Sequence, residues 1–366
     1  MATGLHNITK TRQMLASTAP VLVTGATGFV AAEIVRQLLE AGYSVRGTTR
    51  NVTQAVQDGH LTDLPGAAER LELVEADLVE PGAFDEAVVG CEYVIHTASP
   101  YVLDVEDPQR DLVDPAVQGT LSVLESAAKA TAVKRVVLTS SFAAVSGGAK
   151  DGIWTEKDWN TTSSLDSGAY AYSKTMAEKV AWQFVDDNDV PFDLVVINPT
   201  GVLGPSIVSR VNQTHQIFVS MAHGEYPGII GIEFPFVDVR DVAMAHIKAM
   251  ENPDAGGRYI TSAGSRSFRR LVELARDQGW GEKYKLPKIG LDNSVGNAVV
   301  KFAANFQPKG TRDFLKGSVG KTYELDTSKI TGELGIEFRD LDVSIGDAFS
   351  DLERWGHLEP ETSAPE

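Results

Sequence analysis

Tyr170 and Lys174 stand four residues apart in Tyr170-Ala-Tyr-Ser-Lys174, a spacing that puts a phenol and an ammonium on one face of a helix. A free phenol has a pKa near ~10, and a neighbouring positive charge favours its anion and lowers that value. Such a pair is a proton donor with its activator. It can protonate an oxygen that gains charge during a reaction, a contribution of typically ~10² to 10⁴ in rate. Tyr172 has Met176 at the same spacing and lacks an activator. Thr139-Ser140-Ser141 closes an apolar run upstream, and one hydroxyl there can hold and polarise the receiving oxygen. Ser141 is assigned that task, with Thr139 and Ser140 left to satisfy backbone groups. Ser141, Tyr170 and Lys174 together imply reduction of a carbonyl.

A reduction needs a source of hydride, and the sequence offers a place for one. Val21-Leu-Val-Thr-Gly25-Ala-Thr27-Gly28-Phe29-Val30-Ala31 reads as a strand, a glycine turn and the start of a helix, the context of a dinucleotide fingerprint. Gly25 permits the tight turn, Gly28 admits a pyrophosphate close to the backbone, and the helix N-terminus favours negative charge. Ala31 is small enough for the helix to pack on the strand. About 20 residues further on, an acid would select NAD by bonding the ribose 2′-hydroxyl. Arg46-Gly-Thr-Thr-Arg50 has none. Its guanidiniums suit the 2′-phosphate of NADP(H), with Arg46 as the principal contact and Arg50 the more solvated of the two. Asp77-Leu78 follows the third strand, where it can flank an adenine or cap a turn. His96-Thr97-Ala98-Ser99 ends the fourth. His96 is read as packed, and small Ala98 and Ser99 let the chain approach a cofactor.

These groups require a doubly wound parallel sheet, in which ligands bind at the carboxyl ends of the strands. Strands are expected at Val21–Thr24, Ser44–Thr48, Leu71–Glu75, Tyr93–His96, Arg135–Leu138, Leu194–Ile197 and Arg258–Thr261. Helices are expected at about 30–40, 115–130 and 169–187, from their apolar periodicity. The organisation read from this pattern is a disordered extension (1–19), a Rossmann-type NADP-binding domain (20–200), a substrate-binding segment (201–233) and a return to the core (234–262). A smaller substrate-binding region (263–356) and a loose tail (357–366) complete an α/β chain.

Composition limits the partners. A formal charge of −17 over 366 residues argues against sequence-independent binding of nucleic acid or an anionic membrane. Cys91 is the single cysteine, which excludes an internal disulfide and fits a reducing, cytoplasmic setting as a buried thiol. Residues 1–19 carry Lys10 and Arg12 and no acid, which faintly resembles an organelle transit peptide. No metal-ligand pattern stands out, and a monomer and a homodimer are both compatible with the sequence.

Taken together, Thr24-Gly-Ala-Thr-Gly-Phe29, Gly42-Tyr-Ser-Val-Arg46, Leu138-Thr-Ser-Ser141, Tyr170 with Ser173–Glu178, and Asn198-Pro-Thr-Gly-Val-Leu-Gly-Pro205 resemble the extended short-chain dehydrogenases/reductases. The likeness is to the group of dihydroflavonol 4-reductases, cinnamoyl-CoA reductases and yeast-type aldehyde or ketone reductases. It implies that Ser141, Tyr170 and Lys174 are the catalytic triad, with Lys174 also on the nicotinamide ribose. It implies Arg46 on the 2′-phosphate, Asp77-Leu78 at the adenine, and Pro199, Gly201 and Val202 along the nicotinamide wall. Two departures are visible: Asn51–Gln57 lacks a further basic residue, and Ser146 falls near where plant dihydroflavonol reductases carry a substrate-selecting Asn. Tyr101, Phe142, Phe218 and Ile229 are candidates for an apolar wall or for ordinary core, and His215 and His223 are read as surface positions. Competing readings are a nucleotide-sugar epimerase or dehydratase, a 3β-hydroxysteroid-type dehydrogenase, and an NADP-binding redox sensor without turnover.

Overall fold

The computed structural model describes residues 19–99, 107–150, 152–307 and 309–358. Tyr101, residues 1–18 of the expected extension and residues 359–366 of the expected tail lie outside them. In chain order the strands are β1 (Val21–Thr24), β2 (Val45–Thr49), β3 (Leu71–Glu75), β4 (Tyr93–His96), β5 (Arg135–Thr139), β6 (Asp193–Pro199), β7 (Gly201–Leu203), β8 (Ile229–Ile230), β9 (Glu233–Asp238), β10 (Gly257–Thr261), β11 (Gly264–Ser267) and β12 (Gly290–Leu291). Seven of them form one sheet in the order β3-β2-β1-β4-β5-β6-β10. Every pairing in it is parallel. The order reverses between β1 and β4, and the carboxyl ends of the strands open on a cleft at that switch point.

Helices cover both faces because the strands are apolar on both. Val21 and Val23 of β1 join a cluster with Ile34, Val35, Leu38, Ala243 and Ala245, from helices Phe29–Glu40 and Val239–Glu251. Leu22, between them, joins Val123, Leu124, Ala127 and Ala181 on the other face, from helices Asp114–Lys129 and Ala169–Asp187. The alternation is that of strand side chains. All seven expected core strands are present, with ends differing by at most two residues.

A second cluster lies outside the sheet. Phe218, Phe268, Trp280, Phe349 and their neighbours form it, with a three-stranded sheet β11-β9-β7 and the pair β12-β8 at its side. The expected substrate-binding segment 201–233 contributes β7, paired in register with β9. The early helix Val52–Asp58 was not anticipated. Its start is set by Asn51, whose side chain accepts from the Gln54 N–H, a local cap that needs no long apolar face.

Candidate active site

Tyr170 and Lys174 lie in the first turns of helix Ala169–Asp187, which starts at Gly168 with a left-handed φ of 74°. The Tyr170 hydroxyl lies close enough to the Ser141 side chain for that hydroxyl to favour its anion. Ser141 follows β5 and caps the short turn Phe142–Ala144, its Oγ accepting from the Ala143 N–H at 3.1 Å. Lys174 Nζ donates to Ser99 Oγ at 2.8 Å and stands 5.7 Å from the centre of the Tyr170 ring. The structure therefore brings Ser141, Tyr170, Lys174 and Ser99 together at one sheet edge.

The electrostatics differ from the expected lowering of the phenol by the ammonium. Burial pushes Tyr170 up to about 12, against a smaller downward pull from Ser141, and pushes Lys174 down to about 8. Both side chains keep some surface open to the cleft, but the dense protein around them sets these directions, since loss of water penalises whichever form is charged. Tyr170 is then protonated at neutral pH, as a donor must be.

The neighbouring hydroxyls are committed elsewhere. Thr139 Oγ1 lies 2.7 Å from His246 Nε2, and His246 Nδ1 lies 2.8 Å from the Val242 carbonyl, so the ring carries its proton on Nδ1 and accepts from Thr139. Ser140 donates to Glu178 at 2.5 Å. Glu178 escaped the sequence reading, although it follows Lys174 by one helical turn. It is 1% exposed and also receives Asn198 Nδ2 at 2.7 Å and Arg258 Nε at 2.5 Å. A cavity of about 10 Å³ separates this cluster from Lys174.

The glycine turn forms the cleft's other wall. Gly25 has a φ of +64°, and a Cβ there would lie 3.1 Å from the Ala98 Cα and Cβ. Ala98 is thus packed on the turn. Thr24 Oγ1 accepts from the Thr97 and Ala98 N–H groups at 3.1 and 3.0 Å, so its own proton goes to His96 Nδ1, 2.8 Å away. His96 is consequently neutral, its pKa pushed down to about 3 by burial and by the nearby Lys174. Gly28 starts helix Phe29–Glu40, and no side chain caps that end. The first-turn N–H groups at Phe29 and Val30, beside exposed Thr27, face where an anion would lie. The bare helix end, beside a turn that Gly25 and Gly28 keep tight, fits a dinucleotide pyrophosphate.

Arg46 is not placed for the role the sequence suggested. It pairs with Leu22 and Glu72 in the amino half of β2, away from the ligand edge. Its Nε donates to Glu72 at 2.7 Å, and one terminal nitrogen donates to the carbonyls of Ala87 and Val89 at 3.0 and 2.7 Å. Arg50, past the carboxyl end of β2, is exposed and has no hydrogen bond or ion pair to another described residue. The glycine turn rests against that strand end, Ala26 N–H donating to the Thr48 carbonyl at 2.8 Å. The ranking of the two arginines reverses. Asp77 caps its own turn through the Val79 N–H at 3.2 Å, while Leu78 packs against Gly119.

Pro199 ends β6 and is buried, and Gly201 and Val202 lie half-buried in β7. Phe142, Phe218 and Ile229 belong to the core, at 7%, 0% and 2% exposed. Ser146 is closed on Gly148, donating to its carbonyl at 2.6 Å and accepting from its N–H at 3.1 Å. His215 is 2% exposed, not a surface residue, because its ring sits edge-on to Phe29 of the glycine turn at 5.2 Å. Burial holds it neutral, at about 4. His223 is half-buried.

A parallel sheet with this switch point, an uncapped glycine turn and a Ser–Tyr–Lys edge defines a nicotinamide-dependent oxidoreductase of the extended short-chain dehydrogenase/reductase type. Residues 21–262 match the model of the NAD dependent epimerase/dehydratase family, and the chain belongs to that family. It is 43% identical over 268 residues to cinnamoyl-CoA reductase CAD2 of Medicago truncatula, covering 70% of this chain and 80% of that one. It is 36% identical to dihydroflavonol 4-reductase of Gerbera hybrida, covering 83% and 86%. Among solved structures it resembles yeast methylglyoxal/isovaleraldehyde reductase Gre2 complexed with NADPH, with a TM-score of 0.76, 30% identity and coverage of 92% and 99%. Among the described residues no helix is long and apolar enough to cross a membrane, and no cluster could hold a metal ion.

Proposed function

We propose that the protein is an NADPH-dependent carbonyl reductase that converts an aldehyde or ketone with a sizeable apolar body, of aromatic, diketone, ketoester or flavanonol-like type, to the alcohol. One observation carries this reading: the Tyr170 hydroxyl stands beside Ser141 at the same sheet edge as Lys174 and the glycine turn. NADPH, when bound, supplies hydride for the carbonyl carbon. Ser141 holds the carbonyl oxygen by a hydrogen bond that strengthens as charge develops there, and Tyr170 delivers its proton to that oxygen. Lys174, mostly charged below its pKa of about 8, stabilises the phenolate left behind and holds ribose hydroxyls. The N–H groups of Phe29 and Val30 take the pyrophosphate and Arg50 the 2′-phosphate. Leu78 and Asp77 border the adenine, and Pro199, Gly201 and Val202 the nicotinamide.

The acid-free stretch Arg46–Arg50 weighs against an epimerase that retains NAD. A redox sensor has no use for a proton donor beside a carbonyl-orienting serine. The test is oxidation of NADPH and NADH with a panel of aryl aldehydes, α-diketones, β-ketoesters and dihydroflavonols. Turnover with at least one carbonyl is expected, and NADPH binding without turnover on any member would refute the reductase reading.

A further inference from the structure

We propose that Glu178 is a positioning residue for the reaction: an anchor, paired with Arg258, that fixes Ser141, and through it the carbonyl oxygen, from beneath the sheet edge. The inference rests on the carbonyl-reductase reading above. A carboxylate with 1% exposure in a helix needs strong partners, and Glu178 draws them from three strands. Ser140 at the end of β5 donates at 2.5 Å, Asn198 in β6 at 2.7 Å and Arg258 in β10 at 2.5 and 3.4 Å. All but the longest of these distances are as short as charge-assisted bonds.

Two of the partners lead directly to Ser141. Asn198 Nδ2, while donating to Glu178, also donates to the Ser141 carbonyl at 3.2 Å, and Ser140 is the preceding residue. Arg258 reaches the other side of Ser141. It donates to the carbonyls of Glu156 and Asp158 at 3.0 and 2.5 Å and lies 3.9 Å over the Trp159 ring. The adjoining Asn160 then donates to the Ala143 carbonyl at 2.8 Å, and its N–H to that of Ala144 at 2.9 Å. The turn that Ser141 caps is thus held before and after the serine, with one carboxylate at the junction. Glu178 touches neither substrate nor cofactor. It sets where the serine hydroxyl stands relative to Tyr170, two turns back on its own helix.

Glu178→Gln keeps the shape and removes the charge, and its Nε2 meets donors where Oε2 accepted from Ser140 and Asn198. A displacement of about 1 Å at a catalytic group costs up to ~10²-fold in rate. The expected result is a fall in kcat of ~10- to 100-fold, with the NADPH Kd, read by quenching of protein fluorescence, within about threefold of wild type. A general weakening of the fold lowers kcat equally in any background, whereas an effect exerted through Ser141 vanishes once Ser141 is gone. Glu178→Gln placed on Ser141→Ala is therefore expected to change kcat less than about twofold, by the logic of a double-mutant cycle. Equal losses in both backgrounds, or full kcat in the single variant, would overturn the proposal.

Should Glu178→Gln fail to fold, Asn198→Ala decides. It leaves the Glu178–Arg258 pair intact and cuts the link to the Ser141 carbonyl, so a drop in kcat that is lost on Ser141→Ala supports the proposal, and an unchanged kcat overturns it. Absence of any turnover by wild type sinks the reductase reading itself, an outcome distinct from a turning-over enzyme indifferent to Glu178.

Discussion

Replacing each strand-two arginine in turn separates a cofactor contact from a structural one. Arg50 is exposed beside the glycine turn and has no partner among the described residues, so Arg50→Ala removes little from the fold. A hydrogen bond to a charged group contributes about 1.5–3 kcal/mol, and about 1.4 kcal/mol is a factor of ten. One to two such bonds to a 2′-phosphate, counted without full additivity, give a ~10- to 100-fold rise in the NADPH Kd. NADH, which lacks that phosphate, should bind as before. Arg46→Ala should do the reverse. Its pair with Glu72 is worth little, since the carboxylate is 58% exposed. Its bonds to the Ala87 and Val89 carbonyls contribute about 1 kcal/mol each. A stability loss of about 2–3 kcal/mol is expected, with the NADPH-to-NADH preference unchanged. Fluorescence titrations with both cofactors, with denaturant melts in parallel, read both arms. Loss of NADPH preference in Arg46→Ala, with Arg50→Ala indistinguishable from wild type, would refute the assignment.

Tyr170→Phe should lower kcat by ~10² to 10⁴ while NADPH still binds; a variant that turns over at the wild-type rate excludes Tyr170 as donor. Three buried histidines should make the fold acid-sensitive. His96, His215 and His246 are held at about 3, 4 and 4 against 6.5 when free. The unfolded chain then takes up protons that the folded one excludes, so their contribution is fully present above about 6.5 and is lost as pH falls toward the folded values. Each contributes about 1.4 kcal/mol per pH unit across that window, and calorimetry between pH 7 and 5 should show a falling Tm; a flat profile contradicts it. Cys91, buried and pushed up to about 11 by desolvation, should resist a thiol reagent at neutral pH and react once the chain is unfolded. Prompt labelling of the native protein would show that the pocket around it opens.

The sheet was legible because each core strand is a short apolar run bounded by turn residues, and Tyr170 and Lys174 because helical spacing is local. Glu178 was not, since nothing near it in sequence announces partners 38, 20 and 80 positions away. The Arg46 error has a definite cause. Arg46 and Arg50 differ in which end of β2 they occupy, which residue type and approximate spacing do not reveal, and the glycine turn rests at the carboxyl end. His215 was misjudged because a ring that covers it, Phe29, comes from far earlier in the chain.

The last strand of the sheet also bears on how the enzyme comes into being. β10 docks beside β6 only after the chain has made an excursion through residues 200–256, and it brings Arg258, the cation that neutralises Glu178. During synthesis from the N-terminus, Ser141, Tyr170 and Lys174 emerge well before that cation does. A nascent chain ending short of β10 carries Ser141, Tyr170 and Lys174 and leaves the carboxylate beneath them without its counter-charge, so the support under this edge arrives with the last strand of the sheet and not with the residues it holds.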